Sequence, residues 1–256
     1  MLIEDNEMEK PSFIYKYKGV SSITDLIRLL DIINNNRIFL PTYNQLNDPL
    51  EGQIISISTD AYAGYSMSLA ADEEDMFIKD KKEKFKVLSL SEQWNNPQLW
   101  AHYANGYKGV CLCFSTKGVF GEIGEVEYCQ EREEEYVKSD RALTKLIRNS
   151  FYKKEIGWSY EKEWRMITKS SKKYLQFKDG DLCGVILGHG LTNEVSDFIK
   201  NNINSKLLLM KTKVGYRSYN INALPLNYEY DYNGVPIKIL DVEKSLRKGR
   251  YIFLEK

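Results

Sequence analysis

Histidine is almost absent: His102 and His189 are the only two in 256 residues. A His-rich metal site is thereby excluded, and a Ser-His-Asp triad would have to use one of the two. No Gly-x-Ser-x-Gly elbow, Walker loop or Gly-x-Gly-x-x-Gly turn is present. The four cysteines, Cys111, Cys113, Cys129 and Cys183, form no Cys-x-x-Cys pair. Zinc ribbons and thioredoxin-like sites lose their usual signature, and buried reduced thiols are expected. No apolar run approaches bilayer length. The opening MLIEDNEMEKPSF is acidic and polar, unlike a secretory signal. Neither charge dominates, with 36 basic and 36 acidic residues. Strong electrostatic nucleic-acid binding is not expected, although a local basic face stays open. These absences point to a cytoplasmic protein with no membrane partner.

The chain has ample material for a core, with 43% apolar and 28% charged residues. FIYKYK at 13–18 alternates as a strand. Ser22 then opens a helix, with Asp25 placed as a capping-box acid and Ile23, Leu26, Ile27, Leu30 and Ile33 at helical spacing. RIFLP reads as a second strand, YNQLNDPLEG as a turn-rich loop, and 60–85 as an exposed helical excursion. KVLSLSEQ at 86–93 alternates again. Pro97 suits the first turn of a helix stopped by Gly106. KGVCLCF and GEVEY read as strands, 139–156 as a helix with Leu143, Leu146 and Ile147 on one side, and EKEWRMITK at 161–169 as a strand. CGVILG is a central-type strand, LTNEVSDFIKNNI a helix, and LLLMKT, YRSYNI and VPIKIL late strands. The fold class expected is α+β, a strand-rich split-sheet core with interspersed helices. No repeat or linker divides it, so 1–256 reads as one domain. Its motif-bearing core spans about 13–190, and C-terminal strands at 205–256 pack on it.

Three clusters carry polar and aromatic density. In Asn47-Asp48-Pro49-Leu50-Glu51, Asn47 can bond its own loop backbone as a structural Asx turn, or Asp48 and Glu51 can present carboxylates beside a cleft. In Trp100-Ala101-His102-Tyr103-Ala104, followed by Tyr107-Lys108-Gly109, a helix puts Trp100, Tyr103, Ala104 and Tyr107 on one face. That face is either core or a platform for a flat ring, and His102 points elsewhere. In Trp158-Ser159-Tyr160-Glu161-Lys162-Glu163-Trp164-Arg165, a strand sets Glu161, Glu163 and Arg165 on one face. Such charges are costly to bury unless paired or used. The alternatives are a solvated ion pair and a catalytic carboxylate with an orienting partner.

Together with Tyr15-Lys16-Tyr17, Lys108-Gly109-Val110-Cys111, Tyr152-Lys153 and Val185-Ile186-Leu187-Gly188, these clusters resemble a bacterial family defined only as a domain of unknown function. The resemblance spans roughly 13–190. The order of motifs is also similar to the ADP-ribosyltransferase superfamily, whose members hold NAD between two small split sheets. There a polar first-strand residue is followed by a Ser- or Tyr-bearing strand edge and a late Glu-x-Glu. Here Lys16 or Tyr17 would take the first place, although no Arg or His stands on that strand. Ser89-Leu90-Ser91 or Tyr103 would take the second, and Glu161-Lys162-Glu163 the third.

That resemblance implies NAD as co-substrate, with no metal and no permanently bound cofactor. A fixed carboxylate would stabilise the oxocarbenium-like ribose as nicotinamide leaves. Glu163 is the expected catalytic carboxylate, and Glu161 would orient the acceptor or the ribose. The expected NAD-binding set is Tyr15, Lys16, Tyr17, Asn47, Asp48, Glu51, Ser91, Trp100, His102, Tyr103, Lys108 and Arg165. Within it Trp100, Tyr103 or Tyr17 would flank the nicotinamide, and Lys16, Lys108 or Arg165 would meet the pyrophosphate. A macromolecular acceptor is unassigned, and this chemistry fits a toxin or phage-defence effector. Two alternatives stand beside it. One is a metal-dependent nuclease, with Asp48, Glu51, Glu161 and Glu163 around Mg²⁺ and Lys162 or Lys153 at the leaving phosphate. The other is a non-catalytic sensor or interaction module.

Overall fold

A computed structural model describes residues 10–58, 76–131, 134–137, 139–203, 207–215 and 219–226. In chain order the strands are β1 (Phe13–Gly19), β2 (Arg37–Phe39), β3 (Ile55–Ser58), β4 (Phe85–Ser91), β5 (Gly109–Ser115), β6 (Gly124–Glu125), β7 (Glu127–Cys129), β8 (Glu134–Val137), β9 (Lys153–Glu155), β10 (Glu163–Lys169), β11 (Tyr174–Gln176), β12 (Leu182–Leu187), β13 (Leu208–Val214) and β14 (Ile221–Pro225). The helices are α1 (Ile23–Asn34), α2 (Met76–Glu83), α3 (Pro97–Tyr103), α4 (Asp140–Ser150) and α5 (Asn193–Asn202). The fold class is α+β, as expected. No helix among the described residues is long and apolar enough to cross a membrane.

The chain forms two compact units, each discontinuous in sequence. The first comprises 1–37, 92–121 and 177–256; the second comprises 38–91 and 122–176. Because the segments interleave, no single cut in the sequence separates them.

In the first unit five strands run in the order β14-β13-β12-β5-β1. The β12–β13 pair is parallel and α5 lies between them in the chain; the β12–β5 and β5–β1 pairs are antiparallel. β12 and β5 are interior strands, which accounts for their nearly unbroken apolar character. Cys111 and Cys113 lie fully buried on β5. Ser22 caps α1 by accepting from the Asp25 amide, and Asp25 accepts in return from Ser21 N at 3.1 Å. The buried face of α1 differs from the one expected. Leu29, Ile32 and Ile33 are buried, whereas Ile23 and Ile27 are 76% and 62% exposed. ITDLIRLLDIIN has apolar residues on two flanks, and periodicity cannot choose between them.

In the second unit β10 is the middle strand of the antiparallel run β4-β10-β6. Ile78 of α2, Phe85 and Val87 of β4, Leu143 and Ile147 of α4, Phe151 and Ile167 form its apolar core. Pairing with strands on both sides leaves Glu163 to Ile167 buried, so the charges on β10 must find partners inside the protein.

Four expected boundaries move. GEVEY divides at Val126 into β6, paired with β10, and β7, paired in parallel with β9. The helix expected over 139–156 stops at Ser150, and Lys153–Glu155 becomes β9. The strand expected from 161 begins at Glu163, because Ile156–Glu161 is a 3₁₀ turn and Lys162 is left-handed at φ 45°. Of the helical excursion at 60–85, α2 is present and carries the buried Ile78 and Lys82, so its described part is not wholly exposed. Residues 59–75, and the late strand VPIKIL, lie outside the described residues.

Candidate active site

Asp48 closes the Asp-Pro loop as an Asx turn. Asp48 Oδ1 accepts from Leu50 N at 2.8 Å, and its carbonyl accepts from Glu51 N at 3.2 Å. This Asx turn folds Glu51 inward while Asn47 stays exposed. Gly52 follows at φ 68°, and a Cβ there would stand 2.5 Å from Phe151 Cε1. Gly52→Ala is therefore expected to cost about 1–3 kcal/mol, from backbone strain and overpacking. Urea unfolding measures it; a loss below about 0.5 kcal/mol would show a loop free to shift.

Four more charged side chains converge on Glu51. Lys154 points inward from β9, flanked by exposed Glu155 and half-buried Lys153, as strand alternation requires. Glu161 ends the 3₁₀ turn, and its carbonyl accepts from Ser91 Oγ at 2.6 Å. The left-handed Lys162 then turns the chain into β10, which supplies Glu163 and Arg165. Glu161 and Glu163 thus share a side by way of a turn, where an extended strand was expected. Tyr128 Oη accepts from Glu163 N at 2.9 Å and pins the strand entry.

The contacts form one closed network. Arg165 Nε donates to Glu163 Oε1 at 2.7 Å, and its Nη2 donates to Glu163 Oε2 at 2.9 Å. Nη2 also meets Glu51 Oε2, and Nη1 donates to the Phe151 carbonyl at 2.7 Å. Lys154 Nζ reaches Glu161 Oε2 at 2.6 Å, Glu163 Oε2 at 3.1 Å and Glu51 Oε1 at 3.2 Å. It also stands 4.9 Å from the centre of the Trp158 ring. All five residues are buried, Arg165 completely.

Environment separates the carboxylates. Burial disfavours ionised Glu163, but Arg165 and Lys154, with a hydrogen bond from Ser89, outweigh it and hold its pKa at about 2. At Glu51 burial is the larger effect, and neighbouring Glu163 adds to it. Together they raise its pKa despite Arg165 and Lys154. Burial would lower Lys154, but the three glutamates raise it, so its ammonium persists.

A pocket of about 390 Å³ opens beside the network. Asp48, Glu51, Asn149, Ser150 and Lys154 are among its walls, whereas Glu161, Glu163 and Arg165 are not. Glu51 is therefore the network carboxylate that reaches the pocket. Among the described residues, no group of three or more His, Cys, Asp or Glu is arranged to hold a metal ion.

Of the expected residues, the second unit brings together Glu51, Glu161, Glu163 and Arg165, with Asp48 on the pocket wall and Ser91 tied to Glu161. Asn47 lies exposed on the same loop of that unit, and the others fall in the first unit. There Tyr15 and Tyr17 are buried on β1 with half-buried Lys16 between them, Tyr103 is half-buried, and His102 and Lys108 are exposed. Trp100 corrects the expected ring platform. It is wholly buried, Tyr107 stacks on it at 5.7 Å and 3°, and Tyr17 meets it edge-on at 5.3 Å. Its indole N–H donates to the Trp94 carbonyl at 2.7 Å. It presents no open face, so Trp100 is core, while Tyr103 and Tyr107 are half-buried. Tyr107 itself lies past the end of α3, at φ 67°.

Lys154, Tyr128 and the Phe151 carbonyl were not among the expected site residues. The apolar spacing of α4 runs on into 151–156 and hides the inward lysine. Its one sequence signal is the alternation in Lys153-Lys154-Glu155, too short to oppose a helical pattern.

No curated protein and no solved structure matches the chain. Residues 99–166 match the model of a family described as a protein of unknown function (DUF2971). Over that stretch, which includes Lys154, Glu161, Glu163 and Arg165 but not Glu51, the chain is similar to a family whose function is uncharacterised.

Proposed function

We propose that the second unit carries an ADP-ribosyltransferase-like site, which breaks the N-glycosidic bond of NAD and passes ADP-ribose to an acceptor. The observation that carries this reading is the carboxylate network at the pocket wall. In it, a Glu163 held ionised at neutral pH and a Glu51 shifted upward by burial are joined by Arg165 and Lys154. Pairs of carboxylates with pKa values pushed apart are a recurring device for dividing roles in glycosidic chemistry.

As the ribose C1′–N bond breaks, its electron pair passes to the nicotinamide nitrogen and cancels the ring charge. Positive charge grows on the ribose. Glu51, on the pocket wall, meets the sugar. Glu163 supplies fixed negative charge and, through Arg165 and Lys154, sets the position of Glu51. The acceptor then attacks C1′ and loses its proton. Gln, not Ala, is the informative substitution, since it keeps the side-chain shape and removes the charge.

NAD consumption in EDTA, with labelled NAD and lysate protein in a parallel tube, tests the reading. Glu51→Gln and Glu163→Gln are each expected to lower turnover by about 10²-fold or more. Circular dichroism confirms that the variants are folded. A wild-type protein that neither consumes NAD nor gains thermal stability from it would sink the proposal.

One observation favours a second reading, the non-catalytic interaction module: every charge of the network is paired within the protein. In that case both variants alter stability and nothing else. The nuclease alternative gains nothing comparable, since Lys154 and Arg165 occupy the carboxylate oxygens a metal ion would need.

A further inference from the structure

The other flank of α4 lines a second, open groove of about 740 Å³ within the same unit. Arg141, Lys145 and Arg148 stand along it at positions i, i+4 and i+7, the spacing of one helix face. They cover about 10 Å of helix axis. Lys169, at the end of β10, adds a fourth cation, and Phe85 and Ile167 contribute an apolar floor. No acidic side chain among the described residues lines the groove. Among the described residues none of these four cations pairs with a carboxylate. Asp140, the nearest acid on α4, is engaged by Lys81.

Two of the cations are braced. The Arg148 guanidinium lies 5.3 Å from the centre of the Tyr152 ring, and Lys169 Nζ lies 5.0 Å from that of Phe85. Cation–π contacts hold such groups in place without neutralising them. A charge balance of zero over the whole chain thus conceals a groove with four positive charges.

We propose that this groove binds a single strand of nucleic acid through its phosphates. An open trough with cations in a row suits an extended polyanion better than a small ligand, which favours an enclosed pocket. Guanidinium forks match phosphate oxygens in pairs. Phe85 and Ile167 lie buried beneath the cations, so the contact expected is with the strand's phosphates and not with its bases. Binding does not depend on the carboxylate network, so it stands or falls apart from NAD turnover.

Fluorescence anisotropy with labelled oligothymidylate and oligouridylate of about 12 nucleotides tests it. Neutralising four phosphates predicts a slope of log affinity on log salt near about −2.8. The pair Arg141→Gln and Lys145→Gln should reduce that slope by about 1.4 and weaken binding at least about tenfold at low salt. Both residues are exposed, so the variant is expected to fold normally, and a thermal melt confirms it. Lys200→Gln, on exposed α5 surface, should change neither quantity. A difference between the two probes assigns the strand to DNA or RNA. The proposal is overturned if the wild type ignores both oligonucleotides at low salt. It is equally overturned if the double variant binds as the wild type does, or if polyglutamate or a duplex of the same length competes better than the single strand.

Discussion

Replacing Arg165 by methionine is expected to cost about 3–5 kcal/mol of stability. Arg165 has no exposed surface, and it bridges Glu51, Glu163 and the Phe151 carbonyl. Without it, Glu51, Glu161 and Glu163 share one ammonium, that of Lys154, in a site with little water. The Phe151 carbonyl also loses its donor. The penalty arises from leaving charges buried and uncompensated, so it exceeds what the intact network contributes over an apolar core. For a domain of ordinary stability this is a large share of the total. Urea unfolding measures it as a lower midpoint at unchanged slope. Adding Glu163→Gln to Arg165→Met should recover part of the loss, since one orphaned carboxylate becomes neutral. An Arg165→Met protein within about 1 kcal/mol of the wild type would show that water or rearrangement already screens the network.

Acid should unfold the protein through the same residues, in a defined window. Glu163 has a folded pKa of about 2 against an ordinary value of 4.5. A carboxyl depressed on folding contributes stability that is present above its unfolded pKa and lost as pH falls toward the folded one. Glu163 should therefore contribute about 3 kcal/mol at neutral pH, lost progressively from about pH 4.5 down to about pH 2. Glu51 acts in the opposite sense. Its raised pKa means that the folded state takes up its proton first, so acidification toward pH 4.5 relieves a penalty. Stability should first rise slightly and then fall steeply. Unfolding free energies measured between neutral pH and about pH 3 test this against Glu163→Gln and Glu51→Gln. The difference between wild type and Glu163→Gln should carry the falling limb. Parallel curves for the two proteins would place the acid-sensitive group elsewhere. Because each variant removes a different limb, the experiment also separates the two carboxylates that the proposed chemistry assigns to different roles.

The network and the pocket lie on opposite sides of a question that the residue pattern raises but does not answer. Glu161, Glu163 and Arg165 were legible as a set because a short spacing places them together whether the backbone is extended or turned. Glu51 was legible because Asp-Pro with a following glycine marks a tight loop. That the two meet was not legible, since nothing local relates a loop at 48–52 to a strand at 163–169.

Local chemistry alone specified much of the protein. Period-2 alternation determined β1, β4 and β10, and continuous apolar runs determined β5 and β12. Ser22 with Asp25, and Asn96 with Pro97, determined where α1 and α3 begin. These signals act over a few residues, and the tertiary structure kept these elements while moving the start of β10 from 161 to 163. Tertiary structure decided the rest, where local signals were balanced or absent. It chose the Leu29–Ile32–Ile33 flank of α1 over an equally apolar one. It ended α4 at Ser150 so that β9 could pair with β7, which carried Lys154 into the network. It made Trp100 a core residue by stacking Tyr107 on it from beyond the helix. In each case the deciding free energy comes from burial and ion pairing between segments distant in the chain, and only the folded chain brings those segments together.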